Sequence, residues 1–403
     1  METGIKDFAR PVEASAIMEL LPSRPRVLAL GEPTHGEDTL LDLRNRLFRQ
    51  LVEEQGYRTI ALESDCLRAL TVNAYVTSGE GSLDDVTERG FSHDWGGSRA
   101  NRELVCWMRD LNADRPADEH VRFAGIDGPL EISGAESPRQ ALTALHDYLT
   151  AHVDSALLPC TADKLDELLG TDAPWTNQAA MTDPSQSIGR AAEALELRLV
   201  ADDMVTLLEA QAPHLAAVSS PDDRDRAHLY GRTAVGLLRY HSWMADRSPS
   251  RMARLLATRD EMMAGNLLAL ALAARGPVLV HAHNSHVQRD KGAMSMWGHP
   301  KVEWWSAGAL VGTRLGDQYA HLATALGTMK HQGVDVPPQD TVEGILHALP
   351  EPQCVIDAAQ LDAAVGHMAA VPRVSPYFGY APLDPSHLPR IDGVVYVRDV
   401  PHD

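Results

Sequence analysis

Cysteine is scarce in this sequence: four in 403 residues, and none of Cys66, Cys106, Cys160 and Cys354 lies in a CxxC pair. That spacing excludes the usual zinc modules and a disulfide framework, and it fits reduced, structural thiols in a reducing compartment. Long apolar runs are missing as well. The longest, Leu267 to Ala274, is well short of the roughly 18 residues a membrane span needs. The first residues, METGIKDFARPVEAS, lack a basic patch followed by an apolar stretch, so no secretory leader is expected and a cytoplasmic location is. Positive charge is outnumbered, 36 Lys and Arg against 56 Asp and Glu, for a formal net charge of −20. Such a chain repels phosphate backbones and anionic lipid, so neither a nucleic-acid partner nor a membrane is expected.

Three catalytic signatures are also missing. There is no P-loop and no GxGxxG fingerprint, which argues against nucleotide hydrolysis and dinucleotide chemistry. A strict GxSxG elbow is absent; the loose match Gly96-Gly97-Ser98-Arg99-Ala100 does not follow an apolar strand, as a nucleophilic serine of that type requires. Covalent serine catalysis is therefore not expected. What is present is 44% hydrophobic residues, ample for a large core.

The first third alternates short apolar runs with helical periodicity. Arg26–Gly31, Arg58–Glu63 and Val121–Asp127 read as strands. Asp38–Glu54, about Cys66–Val76 and Asn101–Leu111 read as helices. Five helical segments come next: Gln140–Tyr148, Asp163–Leu169, Ser187–Leu215, Arg224–Asp246 and Arg254–Leu272. Strand-like runs return at Pro277–His281, Ala307–Val311, Ala320–Ala323, Gln353–Ile356 and Gly393–Val397, with an irregular stretch at Val371–Leu388. The order predicts an α/β protein: a mixed, partly parallel sheet flanked by helices, with an inserted helical lobe. Residues 1–136 and 276–403 form the expected core, and residues 137–275 the helical insertion, expected to cover the active-site cleft.

Polar residues collect at predicted strand ends. Glu32 and His35 lie in GEPTHG after the first strand, Glu63 and Asp65 end the second, and Asp127 ends the third. His281, His283 and His286 lie in HAHNSH. Open α/β sheets bind ligands beyond the carboxyl ends of their strands, so this distribution predicts one shared crevice. Each residue also has a plain structural reading. GEPTHG can be a turn with Thr34 or Asp38 capping the next helix, and Glu63 can cap a helix or pair with an arginine. His281 and His283 are read as facing opposite sides, with His283 in the site and His281 in the core.

GEPTHG, ALES and HAHNSH, in that order, resemble the erythromycin esterases and the related proteins assigned to succinoglycan biosynthesis. The resemblance extends to Arg44, the NAYVTSG run, FSHDW at Trp95, WMRDLN, FAGID, RDEMMAGN and the final IDGVVYV. It covers most of residues 25–130 and 255–400. It implies a carboxylic ester hydrolase, without cofactor or covalent intermediate, acting on a small-molecule ester, lactone or polyketide-like substrate. Macrolides, and a role in antibiotic resistance or secondary metabolism, come with that family. Carried over, His35 is the general base and Glu63 orients the base or the water. Glu32, Arg44 and His283 fill the remaining catalytic positions. His286, Asp127, Trp95 and Trp304 are assigned to substrate binding; Trp297 and Trp305 lie in the same aromatic region.

Imidazole titrates near neutrality and a carboxylate partner fixes its tautomer, so the assignment is chemically coherent. Arg44 or His283 could donate to the oxyanion. Two other reactions fit the same residues. One is non-hydrolytic general-base chemistry in natural-product biosynthesis: cyclisation, elimination or lactone formation. The other is a metal-dependent hydrolase with Glu32, His35 and His283 as ligands.

Overall fold

The run VLALGE is apolar at successive positions, the mark of a strand covered on both faces. In the computed structural model it forms β1 (Val27–Glu32), buried throughout. The structure describes residues 5–131, 134–273, 275–294, 301–368, 370–375 and 377–401. The other strands, in chain order, are β2 (Thr59–Asp65), β3 (Arg122–Asp127), β4 (Leu130–Glu131), β5 (Gly134–Ala135), β6 (Val278–His283), β7 (Lys291–Met294), β8 (Val302–Trp305), β9 (Tyr319–Thr328), β10 (Gln353–Asp357) and β11 (Gly393–Asp399). Seven of them make one sheet in the order β10-β11-β9-β1-β6-β2-β3. β1 pairs in parallel with both β6 and β9, β2 with β6, and β11 with β9; β10 runs antiparallel to β11. The sheet is thus mixed and mostly parallel.

Register carries the site. In the β1–β6 ladder, Leu30 faces His281 and Glu32 faces His283; in the β2–β6 ladder, Leu62 faces His281. Parallel strands end together, so Glu32, Glu63 and His283 emerge side by side at the carboxyl edge. Gly31 leaves the space that the Asn284 side chain fills. A Cβ there would lie 2.2 Å from Asn284 Oδ1. Across that gap Asn284 Nδ2 donates to the Thr324 carbonyl and its Oδ1 accepts from Thr324 N–H, tying the end of β6 to β9.

The helix Asp38–Gln55 buries Leu40, Leu43, Leu47, Phe48, Leu51 and Val52 at helical spacing and ends at Gly56 in a left-handed conformation. Two polar side chains on it, Arg44 and Asn45, are also buried.

The chain folds into two units. The first comprises Met1–Glu63, Arg68–Gly125 and Leu267–Asp403; the second comprises Ser64–Leu67 and Ile126–Asn266. The second is mainly helical. Its core packs Leu142, Leu145, Leu149, Leu197, Met204 and Leu238 with the buried Trp175.

Several elements differ from the sequence expectation. Ala307–Val311 belongs to a helix, Ala307–Leu315, and not to a strand. Ser306 caps it by accepting from the Ala309 N–H, a start signal that outweighs an apolar run too short to decide by period. Ser187–Leu215 is not one helix. It begins at Ala192 and breaks at Gln211, because Pro213 has no N–H to continue the ladder; a new helix runs Ala212–Val218. The hairpin β7–β8 was not expected from sequence, and nor was the small β4–β5 pair.

Candidate active site

The centre of the first unit's carboxyl edge is a set of imidazoles wrapped around two buried carboxylates. Glu32 and Glu63 are 3% and 2% exposed. His35 follows Glu32 through the turn PTH, which Gly36 closes with a φ of 80°. His35 Nδ1 lies 2.6 Å from Glu32 Oε1, and its Nε2 lies 3.8 Å from Glu63 Oε1. The His35 side chain is 36% exposed, so this imidazole reaches solvent while its carboxylate does not. Its ring centroid stands 5.1 Å from that of Trp95 and 5.1 Å from that of His283.

His283 closes the other side. Its backbone N–H donates to Glu63 Oε2 at 2.8 Å, and its Nδ1 lies 2.6 Å from Ser285 Oγ. His286, one turn on, places Nε2 3.4 Å from Glu63 Oε1. His281 Nε2 lies 3.6 Å from Glu32 Oε2. The reading of His281 and His283 on opposite sides fails. Residues two apart on a strand return to the same face, and the charged form of either imidazole would feel both Glu32 and Glu63.

Burial dominates the electrostatics. It lowers His281 to about 4 and His283 to about 3, so both are neutral near pH 7. Burial alone would raise the Glu32 carboxyl. His281 and the hydrogen-bonded His35 pull it below the ordinary carboxylate range. Because His281 stays neutral, the His35 hydrogen bond is the part that acts at neutral pH, and it keeps Glu32 ionised.

Arg44 is 1% exposed. Its Nε and Nη2 donate to Asn45 Oδ1 and its Nη2 to Asn101 Oδ1, amide acceptors in place of a carboxylate. Burial lowers it to about 10, with the nearby Glu32 charge opposing, so it remains a cation. Arg44, Glu32, His281, Asn101 and Trp95 line a small cavity of about 20 Å³, room for about one water.

The structure therefore brings together Glu32, His35, Arg44, Glu63, His283, His286 and Trp95. Asp127 lies in the second unit, fully buried. Arg259 holds it through Nε at 3.0 Å and Nη2 at 2.7 Å, and the Gly128 N–H donates to its Oδ1. Those contacts engage both carboxylate oxygens. Trp304 is 4% exposed and stacks on Gly292 across the β7–β8 hairpin. Its neighbour Trp305 is exposed, with Lys291 Nζ 5.5 Å from its ring centroid. Trp297 lies outside the described residues. Among the described residues, no three His, Cys, Asp or Glu side chains are grouped as a metal shell, and no helix is long and apolar enough to cross a membrane.

Sequence reasoning missed three residues of this site. Asn45 and Asn101 hold Arg44, and no local pattern announces a buried amide. Ser285 could have been found: HxS at a strand-to-helix junction is a capping arrangement, and His283 does cap the short helix Asn284–Val287.

A mixed α/β sheet with a histidine–carboxylate centre at its carboxyl edge defines the class: an α/β protein equipped for acid–base chemistry. The erythromycin esterase family model matches residues 52–400, and the chain belongs to that family. An erythromycin esterase type II from Escherichia coli is 26% identical over 271 residues, which span 66% of this chain and 61% of that relative. Three solved structures share the fold. A Bacillus cereus protein aligns with a TM-score of 0.72 at 19% identity, covering 98% of this chain and 96% of its own. A succinoglycan biosynthesis protein aligns at 0.71 and 16%, covering 98% and 95%. A mutant of the erythromycin esterase EreC in its open conformation aligns at 0.66 and 18%, covering 94% and 92%.

Proposed function

We propose that this protein hydrolyses a carboxylic ester or lactone, with His35 as the general base that activates water. The observation that carries the reading is the pair His35–Glu32 at 2.6 Å, with a solvent-reachable imidazole on a buried carboxylate. An ionised Glu32 accepts from Nδ1–H, which makes Nε2 the basic nitrogen of the ring, the one that takes a proton. Nε2 is 3.8 Å from Glu63 Oε1. One water oxygen can sit within hydrogen-bond reach of both, so Glu63 orients the nucleophile that His35 deprotonates.

The water oxygen attacks the carbonyl carbon while its proton passes to His35 Nε2. Glu32 stabilises the imidazolium so formed. The carbonyl oxygen becomes an oxyanion. The half-buried His283 is better placed to donate to it than Arg44, which is sealed and held by Asn45 and Asn101. When the carbon–oxygen bond breaks, His35 returns its proton to the leaving alkoxide, and the acid product releases the other proton of the water to solvent and departs as a carboxylate. Arg44 contributes fixed positive charge beside Glu32. Macrolactones are the first substrates to test, since the Escherichia coli relative is an erythromycin esterase; on this reading Trp95 and His286 border the substrate.

The test is a mass-spectrometric screen of macrolides, simple lactones and esters in ¹⁸O-labelled water. One ¹⁸O in the acid product is expected. His35→Ala should lower kcat by about 10²–10⁴-fold, the usual worth of a general base. Turnover without label in the product would instead favour a substrate hydroxyl as the group deprotonated, and undiminished turnover in His35→Ala would remove the mechanism.

A further inference from the structure

The two imidazoles that stand 5.1 Å apart have opposite proton placements imposed on them. His35 presents Nδ1 to an ionised carboxylate, so its proton sits on Nδ1. His283 presents Nδ1 to the Ser285 backbone N–H at 3.2 Å, and to Ser285 Oγ at 2.6 Å. A backbone N–H can only donate, so His283 Nδ1 must be an acceptor and its proton must sit on Nε2. The Ser285 hydroxyl can rotate to donate as well, which gives Nδ1 two donors and no acceptor. An imidazolium would put an N–H against both.

We propose that Ser285 is a positioning residue that fixes His283 as the Nε2–H tautomer, making it an obligate hydrogen-bond donor opposite the His35 base. One imidazole is thereby a base and its neighbour a donor, although their ring chemistry is identical. A histidine free to change tautomer would spend part of its time with a lone pair aimed at the substrate, where it would repel the developing oxyanion. The Nε2 proton of His283 is the one left to a ligand, since Nδ1 is engaged by Ser285. The catalytic consequence rests on the general-base reading above. The tautomer itself does not, because it is a property of the protein without substrate.

The experiment uses the full chain labelled with ¹⁵N-histidine, with His283→Gln supplying the assignment. The imidazole nitrogens of His283 should show a single tautomer, protonated at Nε2. In Ser285→Ala only the longer backbone N–H contact to Nδ1 remains, so the signals should shift part of the way toward tautomer-averaged values, and Ser285→Thr should restore the wild-type pattern. Ser285→Gly removes the hydroxyl by a second route and is read the same way. With erythromycin as the probe, Ser285→Ala should lower kcat about tenfold and leave KM within about twofold, a smaller loss than the roughly 10²–10³ of deleting an oxyanion donor outright. A wild-type His283 protonated at Nδ1, or a Ser285→Ala spectrum unchanged from wild type, overturns the proposal. A protein that hydrolyses no ester yet shows the Nε2–H tautomer and its loss in Ser285→Ala would sink the esterase reading and leave the tautomer lock standing.

Discussion

At Glu32 a single carboxylate borders two imidazoles, and only one of them can use it at working pH. His281 is neutral, so the charge of Glu32 is directed at His35. Glu32→Gln keeps the shape of the side chain and removes its charge. The amide can still hydrogen-bond His35 Nδ1 but can present its NH2 as well as its oxygen, so the tautomer is no longer imposed, and on the proposed mechanism the imidazolium loses its charged partner. The expected result is a kcat lowered by about 10²–10⁴-fold with little change in KM, by analogy with a triad carboxylate changed to its amide. A loss confined to KM in steady-state kinetics would show that Glu32 binds substrate instead. Legibility at this scale was uneven. Glu32, His35, Glu63 and His283 could be picked out because each is a polar residue straight after an apolar strand. Arg44 came only through family resemblance, since nothing in its helix distinguishes a buried guanidinium from those of the exposed Arg46 and the half-buried Arg49. The carboxylate of Asp127 met its partner Arg259 from 132 residues away, a pairing that no local pattern contains.

Among the elements, the junction of β1, β6 and β9 is the one on which the site depends. Asn284 bridges to Thr324 through the space left by Gly31. Gly31→Ala should therefore displace Asn284 and destabilise the protein by about 1–3 kcal/mol, the usual cost of overpacking. In Gly31→Ala/Asn284→Ala the two losses should be less than additive, because the smaller side chain relieves the clash. Urea unfolding midpoints of the two single variants and the double variant check this; strict additivity would show that the two residues do not share the space. A second prediction at this scale concerns the helix that had been expected as a strand. Ser306→Ala removes its cap and a hydrogen bond to the Gln288 carbonyl. It should cost about 1–2 kcal/mol in the same assay. That helix was illegible because AGALV carries no period. The sheet strands were legible because continuous burial leaves continuous apolar runs. Hairpin β7–β8 was hidden because its residues, lysine and glycine among them, do not alternate in polarity.

For the molecule as a whole, three histidines in different places share one property. His241, His281 and His321 are each under 5% exposed, and burial lowers them to about 4, about 4 and about 3. In the unfolded chain each takes up a proton near the ordinary value of about 6.5. Below that pH and above the folded values, the unfolded state binds more protons, so stability falls as pH falls, by up to about 1.4 kcal/mol per pH unit for each histidine. Urea midpoints should drop between about pH 6.5 and about pH 4; a flat profile would show that these rings are not held neutral. Among the described residues, His321 has no hydrogen-bond partner at either ring nitrogen. His321→Leu should therefore flatten the acid slope without lowering stability near neutrality.

The pairing of β1 with β6 also bears on how the molecule is made. Glu63 and the His283 backbone N–H are 220 residues apart in the chain yet bonded in the folded protein. Most of the residues between them form the helical unit, whose local contacts can assemble early. The carboxyl edge does not exist until β6 has threaded between β1 and β2. On the proposed reading, activity therefore reports a long-range closure of the sheet. Helical circular dichroism should recover before enzymatic activity when the denatured chain is diluted into buffer.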